Sequence, residues 1–151
     1  MLENKSRYFM QLALVASKQS KCLKRQIGAV IVDDQFHVLS LGYNGVPKGF
    51  SHCERCLRDI KNIDVVEDKL PDCPAIHAEL NSVLQCSNIH NAIAIYVTTF
   101  PCIHCTKMIC NTNIKNIFYL TEYETDPQNK KIIDDMLCTA EIICSKIDIG
   151  D

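Results

Sequence analysis

The chain has no tryptophan among its 151 residues, and its aromatic share is only 7%. Few side chains are therefore available to stack on the successive bases of a single strand. The chain also lacks a long basic run, and its formal net charge is −2. A nucleic-acid polymer requires a basic surface that neutralises its phosphates. These shortages argue against such a polymer as the main partner, whereas a small anion needs only one local basic spot.

Membrane-spanning apolar runs are also missing, and residues 1–6 lack the apolar core of a secretory signal. There is no internal repeat, linker or low-complexity tract. We therefore expect one cytoplasmic domain over residues 1–151, without a membrane partner. The ten cysteines would stay reduced inside a cell and would be available to bind metal.

Hydrophobic periodicity outlines the secondary structure. It predicts helices over residues 4–19, 75–87, 102–112 and 128–138, and strands over residues 27–32, 36–43, 92–97, 116–120 and 140–144. The first two strands are predicted to form a hairpin, and helices alternate with strands from residue 75 onward, which indicates parallel pairing. The expected fold is therefore α/β, with helices on both faces of a five-stranded mixed sheet.

Two short motifs carry the clearest chemistry, PAIHAE at residues 74–79 and PCIHC at residues 101–105. A catalytic zinc ion takes three protein ligands and keeps one position open for water. His77, Cys102 and Cys105 fit as those ligands. Glu79 fits beside the open position as the catalytic group that carries protons.

Neither motif is decisive when it stands alone. A Cys-x-x-Cys pair also occurs in redox proteins and in halves of structural zinc sites. The conjunction H-x-E…P-C-x-x-C is more specific, because it is typical of zinc-dependent nucleobase deaminases. Pro101 is expected at the first position of a helix, where its missing N–H costs nothing. Cys102 and Cys105 would then lie on one face of that helix.

From about residue 8 to residue 145 the chain resembles the deoxycytidylate (dCMP) deaminase family of the cytidine deaminase superfamily. Besides the two motifs, the resemblance rests on SKC (20–22), IGA (27–29), GYNG (42–45), HC (52–53), IHAELN (76–81) and YVT (96–98). It implies the three-layer α/β/α cytidine deaminase-like fold. It also implies zinc-dependent hydrolysis of dCMP to dUMP and ammonia, which supplies dUMP for thymidylate synthesis.

In that reaction a zinc-activated water attacks C4 of cytosine, and Glu79 moves its protons to ring N3 and to the departing amine. Three alternative functions stay open at this point. They are a bifunctional dCMP/dCTP deaminase, a deaminase of another nucleoside or base, and a zinc protein without catalysis. The last would have no need of the Glu79 carboxylate.

The resemblance implies six contacts to the substrate: Asn44, Ala78, Phe100, Lys24, Arg25 and Tyr123. Asn44 would bond the sugar or base, the N–H of Ala78 would orient the base carbonyl, and Phe100 would flank the ring. A turn role in Asn-Gly is the competing interpretation of Asn44. Lys24, Arg25 and Tyr123 are candidates for the 5′-phosphate, with ordinary solvated charge as the alternative.

A second metal site is suggested by cysteines outside the two motifs. Cys53 and Cys56 have zinc-ligand spacing, and some members of the family carry an extra zinc at cysteines that match Cys22 and Cys53. We therefore expect a closed structural zinc site made of Cys22, Cys53, Cys56 and Cys73, with His52 in reserve. Free buried thiols are the alternative.

Family resemblance alone implies the assembly and its regulation. Members form hexamers that dCTP with magnesium activates and dTTP inhibits. The expectation is therefore a homohexamer with a possible allosteric nucleotide site.

Overall fold

The structure is a computed structural model that describes residues 2–56, 59, 73–122 and 124–150. Its elements in chain order are α1 (Leu2–Ser17), β1 (Gly28–Asp33), β2 (Val38–Tyr43), α2 (Ala78–Gln85), β3 (Ala92–Thr99), α3 (Ile103–Cys110), β4 (Asn116–Thr121), α4 (Pro127–Thr139) and β5 (Ile143–Lys146). A short 3₁₀ turn, Ile89–Asn91, leads into β3. Within these described ranges, no helix combines the length and apolar character that a membrane crossing requires.

The five strands form one mixed sheet in the order β2-β1-β3-β4-β5. β1 is antiparallel to both β2 and β3. β3, β4 and β5 run parallel to one another. The predicted hairpin, the predicted parallel half and the five-stranded mixed sheet are confirmed.

Alternate residues of the inner strands face opposite layers, as the period of two in a strand requires. Ile31, Ile95 and Ile117 belong to one buried cluster with residues from α2, α3 and α4. Val30 and Tyr96 belong to a second buried cluster with residues from α1. The sheet is therefore sandwiched between α1 and the other three helices, which confirms the three-layer α/β/α architecture.

The starts of two strands lie two or more residues later than the sequence predicts. β2 begins at Val38 because Phe36 has a φ of 65° and belongs to the turn. The ammonium of Lys5 on α1 lies 3.7 Å from the centre of the Phe36 ring. The last strand begins at Ile143, because Glu141 adopts a φ of 56° in the turn that follows α4. In both places a left-handed residue that the sequence pattern did not identify ends the turn.

The site lies at the end of the sheet that is formed by the carboxyl ends of β3 and β4, and this end is called the carboxyl edge below. Thr99 pairs with Thr121 at this edge. β1 is antiparallel to β3, so its first residues lie at the same edge, where Gly28 pairs with Tyr43. Open α/β sheets bind ligands at the carboxyl ends of their parallel strands. The loops that precede β1 and follow β2, β3 and β4 therefore meet where a ligand is expected.

Candidate metal centre and active site

His77 and Cys102 both occupy the position just before a helix. α2 begins at Ala78 and α3 begins at Ile103, and both preceding residues have extended dihedral angles. The predicted starts at residues 75 and 102 were therefore too early. Pro101 was placed wrongly at the first helical position, since it precedes the residue that caps α3. Neither His77 nor Cys102 caps its helix with its side chain, because both side chains turn towards each other.

These two helix starts bring three metal donors together. The Nδ1 atom of His77 lies 3.4 Å from Sγ of Cys102 and 3.5 Å from Sγ of Cys105. A tetrahedral zinc ion with ordinary Zn–S and Zn–N bonds separates such atoms by about 3.6 Å. All three donor atoms lie within 4.8 Å of one another, and this is the only such group among the described residues. The donor set and its spacing therefore fit zinc.

Burial and mutual hydrogen bonding perturb the two thiols in opposite directions. Cys102 and Cys105 are 3% and 4% exposed. A hydrogen bond from Cys105, reinforced by one from His77, holds the pKa of the Cys102 thiol well below its usual range. The hydrogen bond to Cys102 and burial raise the pKa of the Cys105 thiol, and the charge of Glu79 adds to the rise. The site therefore presents one thiolate ready for a cation, and the second thiol must lose its proton to become a ligand.

Glu79 lies in the first turn of α2 and is 4% exposed. The negative charge of its carboxylate adds to the rise in the pKa of the Cys105 thiol, so the carboxylate lies near that thiol. Residues two apart, such as His77 and Glu79, would point to different faces if both lay within a helix. His77 precedes α2, so helix geometry does not separate the two side chains. The metal donors and the carboxylate consequently converge, which is the arrangement that a proton shuttle requires.

Asn44 joins the start of β1 to the end of β2. It is 6% exposed, and its Oδ1 accepts from the N–H of Ile27 at 2.8 Å. Its Nδ2 donates to the carbonyl of Arg25 at 2.9 Å. An amide side chain has two donor and two acceptor positions, and these bonds use one of each. This backbone-bridging role was not anticipated from the sequence.

Ala78 and Phe100 are the other two residues that the sequence predicts to contact the base. Ala78 is completely buried at the first position of α2, where backbone N–H groups have no acceptor within the helix. The ring of Phe100 meets the ring of Tyr119 edge-on at 4.9 Å between centres. The Phe100 ring also lines a cavity of about 80 Å³ between β4 and α4. That packing directs Phe100 towards the α4 side of the sheet edge.

The three residues predicted to bind the 5′-phosphate are Lys24, Arg25 and Tyr123. The ammonium of Lys24 forms an ion pair with Asp59 at 2.7 Å, and both side chains are largely exposed. Arg25 lines an open cleft of about 430 Å³ at the carboxyl ends of β3 and β4. Tyr123 lies outside the described residues.

The cleft beside Arg25 contains polar residues that sequence analysis did not identify. The hydroxyl groups of Thr99 and Thr121 lie 3.2 Å apart, and both residues line the cleft together with Glu122 and Glu124. Thr99 ends β3 and Thr121 ends β4. Pairing of these two parallel strands would have been sufficient to predict that the threonines meet at the ligand-binding edge.

The four cysteines assigned to a second metal are not brought together as a group of three or more donors among the described residues. Cys22, Cys53 and Cys56 are half-buried free thiols, and Cys73 is an exposed one. Within the part of the chain that the structure describes, they do not form a group with metal-ligand separations.

The sequence of this chain is similar to those of known proteins. The model of the family described as "Cytidine and deoxycytidylate deaminase zinc-binding region" matches residues 3–121. A deoxycytidylate deaminase of Schizosaccharomyces pombe is 33% identical over 130 residues, which are 83% of this chain and 40% of that protein. The chain therefore spans less than half of that relative's length. A deoxycytidylate deaminase of Mycobacterium phage D29 is 33% identical over 120 residues, covering 76% of this chain and 93% of the phage protein.

A solved structure is similar over nearly the whole length of both chains. The crystal structure of dCMP deaminase from the cyanophage S-TIM5 in complex with dCMP and dUMP superposes with a TM-score of 0.71 at 28% identity. The superposition covers 96% of this chain and 97% of the phage chain. The same architecture therefore surrounds a bound pyrimidine nucleotide in that protein.

Proposed function

The chain belongs to the cytidine and deoxycytidylate deaminase family, and from that premise we propose that it hydrolyses dCMP to dUMP and ammonia. One observation carries the proposal: His77, Cys102 and Cys105 place their donor atoms at zinc-ligand separations, with the Glu79 carboxylate buried against Cys105. The product dUMP would supply thymidylate synthesis. We further infer that residues 1–151 act as one domain.

The side chains divide the chemistry between binding and proton transfer. Zinc, when held by His77, Cys102 and Cys105, supplies a Lewis acid that activates a water molecule for attack on C4 of cytosine. Glu79 would accept a proton from that water and deliver it to ring N3. It would then carry the second proton, from the oxygen bound to C4, to the amine, which leaves as ammonia. The bond from C4 to the amine nitrogen breaks, and a carbonyl forms at C4. Two thiolates offset the double positive charge of zinc, so that Glu79 remains the negative group available for protons.

Other residues of the site would orient the nucleotide. The N–H of Ala78 is proposed to bind the base carbonyl, and Phe100 to flank the ring. Asn44 is proposed to use its remaining hydrogen-bonding capacity on the sugar or base. Because Asn44 also bridges Arg25 and Ile27, a ligand contact there would be coupled to the backbone beside the cleft.

The cleft next to Arg25 is our proposed site for the 5′-phosphate. Arg25 offers a forked cation for phosphate, the hydroxyls of Thr99 and Thr121 add possible donors, and Lys24 is a neighbouring cation. Tyr123 is a further candidate from the sequence. Glu122 and Glu124 also line the cleft and would repel additional negative charge. This repulsion favours the monophosphate dCMP over the triphosphate dCTP.

Ammonia release from four compounds tests the proposed activity. Zinc-loaded protein is expected to deaminate dCMP well, dCTP and deoxycytidine much more slowly, and cytosine least, because each loses or alters the proposed phosphate contact. Arg25→Ala should lower kcat/KM for dCMP by about 10- to 100-fold, which is the value of a charge-assisted hydrogen bond. The kcat/KM for deoxycytidine, which has no phosphate, should not change. Equal or better turnover of dCTP would indicate the bifunctional alternative. No turnover of any of the four would contradict a deaminase of these substrates.

We also propose a second, structural zinc held by Cys22, Cys53, Cys56 and Cys73. The Cys53-x-x-Cys56 spacing and the half-buried thiols of Cys22, Cys53 and Cys56 support it. Metal analysis of fully loaded protein is expected to give two zinc ions per chain. The paired change Cys53→Ser and Cys56→Ser should reduce this to one, whereas Cys138→Ser, at an exposed position of α4, should not. One zinc per chain in the unmodified protein would contradict this second site.

Assembly and regulation are inferred from the family alone. We propose a cytoplasmic homohexamer that dCTP with magnesium activates and dTTP inhibits. Sedimentation velocity with and without these nucleotides would measure the assembly, and ammonia release under the same conditions would measure the regulation.

A further inference from the structure

The backbone of α2 approaches the edge strand β2 unusually closely at Gly42. A Cβ atom added to Gly42 would come within 3.0 Å of three backbone atoms of α2, including the carbonyl oxygen of Ala78 and the nitrogen of Ser82. These are main-chain atoms of a helix, which cannot turn aside as the tip of a flexible side chain can. The helix can occupy its place only because residue 42 has no side chain.

Four hydrogen bonds hold the same two segments together. The N–H of Ile76 donates to the carbonyl of Gly45 at 2.7 Å, and the N–H of Gly45 donates back at 3.1 Å. The Ser40 hydroxyl donates to the carbonyl of Ser82 at 2.7 Å. That carbonyl is one of the last in α2, where no partner exists within the helix. Nδ2 of Asn81 donates to the carbonyl of Tyr43 at 2.8 Å.

We call this contact between residues 40–45 and residues 76–82 the β2 clasp. His77 and Glu79 lie inside it, whereas Cys102 and Cys105 lie at the other end of a path through the sheet. Strand pairing connects β2 through β1 to β3, and the chain then leads from β3 into α3. The separation between the His77 imidazole and the two thiols is therefore set by how closely α2 sits on β2.

We propose that Gly42 is a positioning residue for the zinc site, and that the β2 clasp holds His77 and Glu79 in register with the two thiols. The inference rests on the zinc-dependent function proposed above. A methyl group at residue 42 would push the first turn of α2 away by about 1 Å before it reached ordinary van der Waals separation. A displacement of that size moves the imidazole out of the zinc coordination distance.

Gly28 provides a matched control on the opposite face of the sheet. A Cβ atom added to Gly28 would clash with the carbonyl oxygen of Ala13 and the nitrogen of Ser17 on α1. Both glycines are buried strand residues beside a helix backbone, and Gly28→Ala should destabilise the fold in the same way. Neither metal donors nor Glu79 lie on α1.

The test compares zinc affinity, measured by competition with a chromophoric chelator, in Gly42→Ala and Gly28→Ala. Supporting contacts of a metal site are worth about 10- to 100-fold in affinity, and that loss is expected for Gly42→Ala alone. The absorption bands of bound cobalt(II) should also shift in Gly42→Ala and not in Gly28→Ala. Equal zinc affinities in the two variants would overturn the proposal.

If Gly42→Ala is recovered only as unfolded protein, a less disruptive substitution, Ser40→Ala, tests the same proposal. Ser40→Ala removes one hydrogen bond of the clasp without a clash and is expected to weaken zinc binding several-fold. Unchanged zinc affinity and an unchanged cobalt spectrum in Ser40→Ala would overturn the proposal. Zinc affinity and the cobalt spectrum report on the metal site alone and do not depend on activity. If the wild-type protein binds zinc but fails to deaminate dCMP, that failure contradicts only the proposed function.

Discussion

Glu79→Gln is expected to lower kcat for dCMP by about 10³-fold or more, within the range attributed to general acid–base catalysis. Glutamine matches glutamate in size and keeps the buried place at the first turn of α2. It cannot accept a proton from water or return one to ring N3. Zinc content, thermal stability and KM should therefore change little. Ammonia release at saturating dCMP, with zinc measured on the same sample, checks the result.

Glu3→Gln is the matched control for this prediction, because Glu3 lies exposed in the first turn of α1. That helix packs on the opposite face of the sheet. The control should retain wild-type turnover. If Glu79→Gln kept more than a tenth of the wild-type kcat with full zinc occupancy, the carboxylate could not be the proton carrier.

Cys105→Ser is expected to remove the catalytic zinc and the activity. The Cys105 thiol lies 3.5 Å from the His77 imidazole and is almost completely buried. A serine hydroxyl is a much poorer ligand for zinc than a thiolate. If the affinity falls about 1,000-fold, the stabilisation that zinc gave the folded state falls by about 4 kcal/mol. Added zinc should therefore raise the Tm of Cys105→Ser by less than it raises the Tm of the wild type, because only the proposed structural site can still bind it.

Cys110→Ser makes the same chemical change at the other end of α3. Cys110 is half-buried, and burial raises the pKa of its thiol, but it lies outside the metal donors. It should keep the response to zinc. A chelator added to the wild type should reproduce the behaviour of Cys105→Ser. The same zinc content as the wild type, together with normal turnover, in Cys105→Ser would contradict the proposed ligand set.

The metal donors could be identified from the sequence because zinc chemistry demands particular donor types at short spacings. The start of α2 was predicted three residues too early and that of α3 one residue too early, since His77 and Cys102 look like ordinary first residues of a helix. Their side chains turn towards a metal site that exists only in three dimensions. Helix caps with Ser, Thr, Asp or Asn are easier to place. Asp126 caps α4 by accepting from the N–H groups of Gln128 and Asn129, and there the predicted start was off by one residue.

Contacts between distant segments were the harder part to predict. Asn44 bonds to Arg25 and Ile27, which are 19 and 17 residues away, and no local pattern encodes those partners. The close approach of α2 to Gly42 likewise depends on where two elements pack. The sequence indicated that residues 42–45 mattered, but it pointed to a ligand contact and not to helix packing.

The spacing of the metal donors along the chain gives the site a topological role. His77 and Cys102 are 25 residues apart, and the segment between them includes β3, the middle strand of the five. An ion bound to both residues would close a loop that contains that strand, as a disulfide does. For a ring of this length, the chain-entropy model of a cross-link gives about 3.5 kcal/mol through restriction of the unfolded chain. The bound ion would therefore join the two ends of the segment that carries β3 and would stabilise the middle of the sheet against unfolding.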